Sequence, residues 1–383
     1  MNHPLRGSSA IVGVGLAGLG EAHGRSHLEL LAQASIDALA ECGLSLEDVD
    51  GLFTSNLNNF FPTLTVGEYL DIRPKHVDGT NLGGASFLDH LISATAAIKS
   101  DLCEVALICY GSNQRTASGR LVTGADQPVW EAAYKPRYPV IAYALAAARH
   151  MHQYGTTRED LARVATSARE WAKLNPMAYK RGPLSVNDVL SSRMICDPLT
   201  VADCCLVTDG AGAMVVVSAE RARDMPKKPV YFLGGAAAQW NRQISSMPDL
   251  TVTAASESGA RASKMAGVKA TECDLVQTYD AFTINTILFL EDLGFCPKGE
   301  GGRFVSDGNI APGGSLPVNT NGGGLSCVHP GMYGIFTMIE ATQQLRGEVG
   351  ERQVASPHLA LCHGNGGTLS SQVSVYLGDE STL

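Results

Sequence analysis

The stretch Asn319-Thr-Asn-Gly-Gly-Gly-Leu-Ser-Cys-Val-His-Pro-Gly-Met-Tyr-Gly334 sets the reading of this chain. Three successive glycines, Gly323 and Gly324 among them, let the backbone lie close against a ligand. The proline after His329 restricts the chain there and pins the imidazole where the glycines have brought it. A lone histidine more often serves structure or solvent, but this setting makes His329 a candidate for chemistry. Tyr333 follows four residues later and can face the same pocket.

Two further segments flank it. Upstream, Gln277-Thr-Tyr-Asp-Ala-Phe282 ends a strand and begins a helix. Polar groups at the carboxyl end of a sheet strand are well placed for a ligand, which nominates Tyr279 and Asp280. The plain alternative is a core aromatic and an N-cap. Downstream, Leu361-Cys-His-Gly-Asn-Gly-Gly367 puts Cys362 at a strand end. The glycines after it, Gly366 included, could carry it into a site; otherwise it is a buried thiol.

The rest of the chain supplies the frame. Ser8–Gly15 reads as a strand, and His27–Cys42 as a helix that Gly43 can cap. Val49–Thr54 reads as a strand, Ser86–Ser100 as a long helix and Glu104–Gly111 as a strand. This β-α-β-α-β order is that of a parallel sheet with helices packed on it. From about 112 to 200 the rhythm breaks into a Tyr-, Arg- and Pro-rich excursion with one clear amphipathic helix, Arg158–Leu174. Excursions of this length usually form lids or binding loops. Sheet-like sequence resumes at Asp203–Glu220. A second series follows: strand Val230–Gly234, helix Ser256–Ala266, strand Asp274–Tyr279, helix Ala281–Asp292, a helix holding Glu340–Leu345, and strands Leu359–Cys362 and Gln372–Leu377. Cys205-Leu-Val-Thr-Asp-Gly-Ala-Gly-Ala213 closes the first series, and the Leu361–Thr368 segment the second. Both place a glycine-containing turn between apolar runs. The echo and the element order predict two similar α/β halves, 1–222 (with 113–200 inserted) and 223–383.

Composition bounds the function. The chain has 383 residues, 45% hydrophobic and 17% charged, an ordinary globular mix. Net charge is −9 with no Lys/Arg cluster, which argues against nucleic-acid binding. No run of about 18 apolar residues predicts a membrane span, and the first residues lack a signal-peptide pattern. The ten cysteines are scattered without a CxxC. They read as buried free thiols in a reducing cytoplasm, with no metal site built by this chain alone.

The three segments, in this order, resemble the thiolase superfamily, most closely its sterol-carrier-protein-type and lipid-transfer-protein branch. His329-Pro330 matches the family's Gly-His-Pro segment, with Val328 in place of the glycine. Cys362 matches the cysteine of its Cys-x-Gly-x-Gly segment, and Tyr279-Asp280-Ala281-Phe282 its Asn-Glu-Ala-Phe segment. Asp209–Ala213 fits the end of the amino-terminal half and Asn175-Pro176 the loop domain, so the resemblance spans nearly the whole chain. It implies duplicated βαβαβ halves in a five-layer α-β-α-β-α core with an inserted loop domain. It also implies a coenzyme A thioester substrate, no covalently bound cofactor and a homodimer. CoA would lie against the excursion, where Arg149, Lys180 and Arg181 are available for phosphates.

The departures redirect the chemistry. The family's nucleophilic cysteine sits just before the helix at Ser86–Ser100. Counting back from the next strand puts Gly84 there, and no cysteine lies between Cys42 and Cys103. Ser86 could substitute only with an adjacent base; otherwise it merely begins the helix. Tyr279 replaces the family's Asn or His. Thiolysis needs the missing thiol, but preorganised donors can still stabilise a thioester enolate. The resemblance implies His329 and an oxyanion loop of Asp280, Gly323, Gly324 and Gly366. An enolate is the leaving group when a β-hydroxyacyl-CoA undergoes retro-aldol cleavage, with Tyr279 and Tyr333 as proton carriers and Cys362 as a helper. Steroid side-chain aldolases of this branch are similar in lacking the cysteine, and they work with a small DUF35-type zinc-ribbon/OB-fold partner. The expectation is a β-hydroxyacyl-CoA retro-aldolase with such a partner. The alternatives are a Claisen-type acyltransferase and a non-catalytic acyl-CoA-binding subunit.

Overall fold

In a computed structural model the protein is described over residues 3–118 and 129–383. The part of the predicted excursion at 119–128, and the first two residues of the N-terminal reading, lie outside the described residues. Nine strands build the main sheet: β1 Ser9–Gly20, β2 Gly51–Thr54, β3 His76–Asp78, β4 Ala106–Ser112, β5 Asp209–Ser218, β6 Val230–Gln239, β7 Leu275–Thr278, β8 Leu359–Gly366 and β9 Ser371–Gly378. Seven long helices accompany them: α1 His27–Glu41, α2 Ser86–Lys99, α3 Val140–Tyr154, α4 Arg158–Lys173, α5 Ala255–Ala266, α6 Thr283–Asp292 and α7 Gly334–Arg346.

The strand order is β3-β2-β4-β5-β1-β6-β9-β8-β7. β1 and β6 meet antiparallel through only Ala10↔Tyr231 and Ile11↔Val230, so two half-sheets join at a narrow seam. Outward from β1, β5 and β4 run antiparallel, then β2 and β3 parallel. Outward from β6, β9 and β8 run antiparallel and β7 parallel, and Val318 bridges β7 in parallel where β3 stands in the first half. The duplication read faintly in the sequence is therefore a duplication of pairing pattern.

Helices complete the layers. α1 covers β1, β4 and β5 on one outer face, and α5 covers β6 and β9 on the other. Glycines allow both approaches. A Cβ at Gly15 would stand 2.1 Å from the Ala34 carbonyl oxygen of α1, and one at Gly234 only 2.5 Å from the Ala266 nitrogen of α5. Between the half-sheets, α2 and α7 pack on strands of both halves and on each other. The order α1, half-sheet, α2 with α7, half-sheet, α5 is the five-layer core that the resemblance implies.

Two departures bear on the site. The excursion holds a second long helix, α3, where the sequence predicts only the Arg158–Leu174 helix. Ala142, Ala144, Ala146 and Ala147 are buried, and Gly155 ends it with a left-handed φ of 76°. β8 runs on through the glycines to Gly366 instead of ending at Cys362. Among the described residues, no helix is long and apolar enough to cross a membrane.

Candidate active site

The first turns of α2 and α7 meet in the middle layer. A Cβ at Gly334, the first residue of α7, would lie 2.2 Å from the Gly84 carbonyl oxygen just ahead of α2. The end of β7 delivers Tyr279 to this junction, and the loop before α7 delivers His329. A cavity of about 390 Å³ opens beside them, with Gly84, Tyr143, Tyr279, Phe282, His329 and Asn365 among its lining residues.

Tyr279 is the hub. Its Oη donates to the Gly331 carbonyl (3.0 Å) and accepts from the Tyr333 backbone N–H (3.3 Å). His329 Nε2 stands 3.1 Å from the same oxygen. With the phenolic hydrogen given to Gly331, the arrangement that satisfies every contact has His329 donating from Nε2. His329 Nδ1 is buried with no hydrogen-bond partner among the described residues. The His329 backbone is gripped on both sides: its N–H donates to Thr208 Oγ1 (2.9 Å) and its carbonyl accepts from Gln114 Nε2 (2.9 Å). Burial pushes the imidazole down to about 4, so it is neutral at pH 7. Burial also raises the Tyr279 phenol well above its ordinary range.

Gly84 explains the missing nucleophile sterically. A Cβ there would fall 2.0 Å from Cε2 of Tyr279, 2.6 Å from Cζ and 2.7 Å from Oη. The tyrosine ring fills the volume that any side chain at position 84 would need. Ser86 is no replacement. Its buried Oγ donates to the Gly83 carbonyl (2.7 Å) and accepts from the Leu82 N–H (2.9 Å), and among the described residues it makes no hydrogen bond to a side-chain base. It shapes the start of α2.

Several predicted residues sit elsewhere than expected. Cys362 is fully buried with its thiol 3.5 Å from the Thr337 carbonyl of α7, outside the cavity lining. Because β8 continues, the same-face positions nearer the junction are Gly364 and Gly366. Gly366 must be glycine, since its Cβ would lie 1.6 Å from the Leu82 carbonyl oxygen. The Gly323 and Gly324 N–H groups are already engaged, by Asn321 Oδ1 (2.7 Å) and Asp280 Oδ1 (2.6 Å). The Gly324 and Leu325 N–H groups cradle the Asp280 carboxyl, the latter at 3.3 Å from Oδ2, so the glycine amides are not free for an oxyanion, and burial lifts that carboxyl to about 7. The Tyr333 phenol points to Asn321 Oδ1 (3.2 Å), so its backbone N–H, not its hydroxyl, reaches the hub. Arg149, Lys180 and Arg181 do not line the cavity, whereas Arg242 does.

Sequence reasoning missed Tyr143 and Asn365. Asn365 lay inside a quoted glycine segment without a role, and Tyr143 lay in the helix that was not recognised.

Residues 236–379 match the family described as thiolase C-terminal domain-like. The acetyl-CoA acetyltransferase of Methanothermobacter thermautotrophicus is 34% identical, over 94% of this chain and 96% of that one. The 17-hydroxy-3-oxo-4-pregnene-20-carboxyl-CoA lyase of Mycobacterium tuberculosis is 33% identical, over 94% and 97%. Among solved structures, a chain of the Ltp2-ChsH2(DUF35) aldolase superposes with a TM-score of 0.89 at 32% identity, covering 98% of this chain and 99% of its own. With relatives of this identity and coverage, the chain belongs to the thiolase superfamily, in the branch that includes acyl-CoA aldolases.

Proposed function

We propose that the protein is an acyl-CoA lyase that cleaves a β-hydroxyacyl-CoA by retro-aldol chemistry. The observation that carries this is the Tyr279 ring packed into the side-chain volume of position 84. It leaves no room for a thiol nucleophile and puts a phenol there instead. In the reaction the β-hydroxyl loses its proton, the Cα–Cβ bond breaks, and the β-carbon becomes a ketone or aldehyde. The electron pair goes to the thioester enolate, and the α-carbon takes a proton. Tyr279 is the proton carrier. His329 Nε2 and the Tyr333 N–H, both aimed at Oη, stabilise its oxygen whenever it has given up its hydrogen.

The relatives named as a lyase and an aldolase support this reading. They extend it to a steroid-like acyl group, for which the cavity offers Tyr138, Phe282 and Met332 as apolar walls. They also extend it to a small DUF35-type zinc-ribbon/OB-fold partner. A homodimer would form along the free side of the edge strand β3, since unpaired strand edges invite pairing.

The relative named as an acetyltransferase favours a second reading, Claisen-type acyl transfer. That route needs an acyl-enzyme. Intact-protein mass spectrometry after incubation with acyl-CoA separates the two. An unmodified chain that still cleaves a β-hydroxyacyl-CoA fits the lyase, and a stoichiometric acyl adduct sinks it. A purely binding subunit would tolerate Tyr279→Phe and His329→Ala with no loss in the activity of its complex.

A further inference from the structure

The cavity has a second polar corner that the proposed chemistry leaves without a role. Asn365, at the end of β8, donates from Nδ2 to Tyr143 Oη (2.9 Å), and Tyr143 Oη donates to the Gly367 carbonyl at a longer 3.2 Å. Both residues are about 98% buried, each having only 2% of its surface exposed, and both line the cavity. Tyr143 is stacked on Phe282, ring centroids 4.3 Å apart, so its phenol has little freedom to turn away.

A buried relay behind this corner agrees with its polarity. Ser374 Oγ lies 2.9 Å from His363 Nδ1, and His363 Nε2 lies 2.9 Å from Gln372 Oε1. Gln372 Nε2 then donates to Asn365 Oδ1 (2.8 Å). A carboxamide oxygen can only accept, so His363 carries its hydrogen on Nε2 and receives the Ser374 hydroxyl on Nδ1. With its oxygen facing His363, the Gln372 amide turns its NH2 group to Asn365, and the three groups agree. The Asn365 oxygen is held from behind, and its NH2 group faces Tyr143 and the cavity. One Asn365 amide hydrogen has no partner among the described residues, and the Tyr143 hydroxyl hydrogen is only loosely held. At Asn365 Nδ2 and Tyr143 Oη the corner therefore offers hydrogen-bond donors. Such a site favours an oxygen with no hydrogen of its own to place, namely a carbonyl or an alkoxide.

Retro-aldol cleavage places charge on two oxygens in a 1,3 relation, that of the thioester and that on the β-carbon. The Tyr279–His329 pair serves one end of this unit, and the Tyr143–Asn365 corner, on separate elements, is free for the other. We propose that Tyr143 and Asn365 form a donor site for the β-oxygen of the acyl chain, which makes the protein select acyl-CoA thioesters oxygenated at that carbon. The inference rests on the acyl-CoA reading above, and it makes Tyr143 and Asn365 specificity-determining residues.

The test is an equilibrium one, so turnover does not enter. Isothermal titration without free CoA compares a straight-chain β-ketoacyl-CoA with the saturated acyl-CoA of equal length. Wild type should bind the β-keto ligand about tenfold more tightly, the scale of one or two well-placed hydrogen bonds. In Tyr143→Phe and Asn365→Asp that ratio should fall close to one, while affinity for the saturated ligand changes by less than about twofold. Tyr143→Phe keeps the stack on Phe282 and carries the test alone if the Asp variant fails to fold. A ratio near one in wild type, or an unchanged ratio in Tyr143→Phe, overturns this proposal and leaves the lyase reading standing. Failure of wild type to bind either ligand overturns both.

Discussion

Replacing Gly84 by alanine adds one methyl group at the most congested point of the site. The new carbon would start 2.0 Å from Cε2 of Tyr279, more than 1 Å inside ordinary contact. The ring is buried and cannot step aside freely, because its hydroxyl is tied to Gly331, His329 and the Tyr333 N–H. Overpacking of a filled core costs roughly 1–3 kcal/mol, and each hydrogen bond lost as the ring shifts adds about 1 kcal/mol. Gly84→Ala should therefore destabilise by about 3 kcal/mol, read as a lower urea midpoint at unchanged slope. Displacing the proposed proton carrier should reduce cleavage by about 100-fold or more. Removing the ring as well, in Gly84→Ala/Tyr279→Ala, should recover most of the packing penalty, a coupling that a double-mutant cycle measures directly. Gly84→Cys should likewise fail to create a thiolase. If Gly84→Ala unfolds and turns over like wild type, the Tyr279 ring does not occupy that volume, and the account of the missing nucleophile is wrong.

Other variants probe the neighbouring assignments. Ser86→Ala removes two buried backbone contacts and should cost about 1–3 kcal/mol in chemical denaturation, yet turnover per folded molecule should stay within a few-fold; complete loss of activity in a folded variant would restore the serine nucleophile. Cys362→Ala should lower stability by about 1 kcal/mol and leave cleavage rates unchanged, because the thiol faces Thr337 and not the cavity. Asp280 gives a pH signature. Its folded carboxyl titrates near 7 against an ordinary 3.8, so the folded state holds the proton more firmly than the unfolded one. Its contribution is complete below about pH 4 and is lost as pH rises towards 7, by an amount of at most about 4 kcal/mol. Urea midpoints of Asp280→Asn should vary less over that window than those of wild type, and a parallel pair of curves would refute the assignment.

Much of this was legible in the sequence because it depends on local pattern. The three glycine- or strand-end segments converge on one junction, and the absence of a cysteine between Cys42 and Cys103 is plain from the residue order. The duplication was faint because the halves share pairing pattern and layer order rather than residues; Gly15 and Gly234 play the same part with no shared motif around them. Errors came where tertiary contact decides. Cys362 looked like a strand end because glycines follow it, but those glycines extend β8, since Gly366 packs on Leu82. The Gly323 and Gly324 amides looked free because no sequence rule shows that Asn321 takes the first and Asp280 the second. Tyr143 stayed hidden in a helix whose alanine-rich run gave little contrast between its faces, and Asn365 acquires its role only through Gln372 and His363 on neighbouring positions of β8 and β9.

The central claim is that carbon–carbon cleavage proceeds here without an acyl-enzyme and through Tyr279. The measurement that tests it most directly is product analysis by mass spectrometry. The protein, alone and with a co-expressed DUF35-type partner, meets β-hydroxyacyl- and β-ketoacyl-CoAs, each with and without free CoA. The account predicts that the β-hydroxy substrate yields a ketone or aldehyde and the shortened acyl-CoA without free CoA, and that Tyr279→Phe lowers this rate by about 100-fold or more. Cleavage of the β-keto substrate that requires free CoA and survives Tyr279→Phe would contradict it, since a nucleophile would then be at work elsewhere in the site.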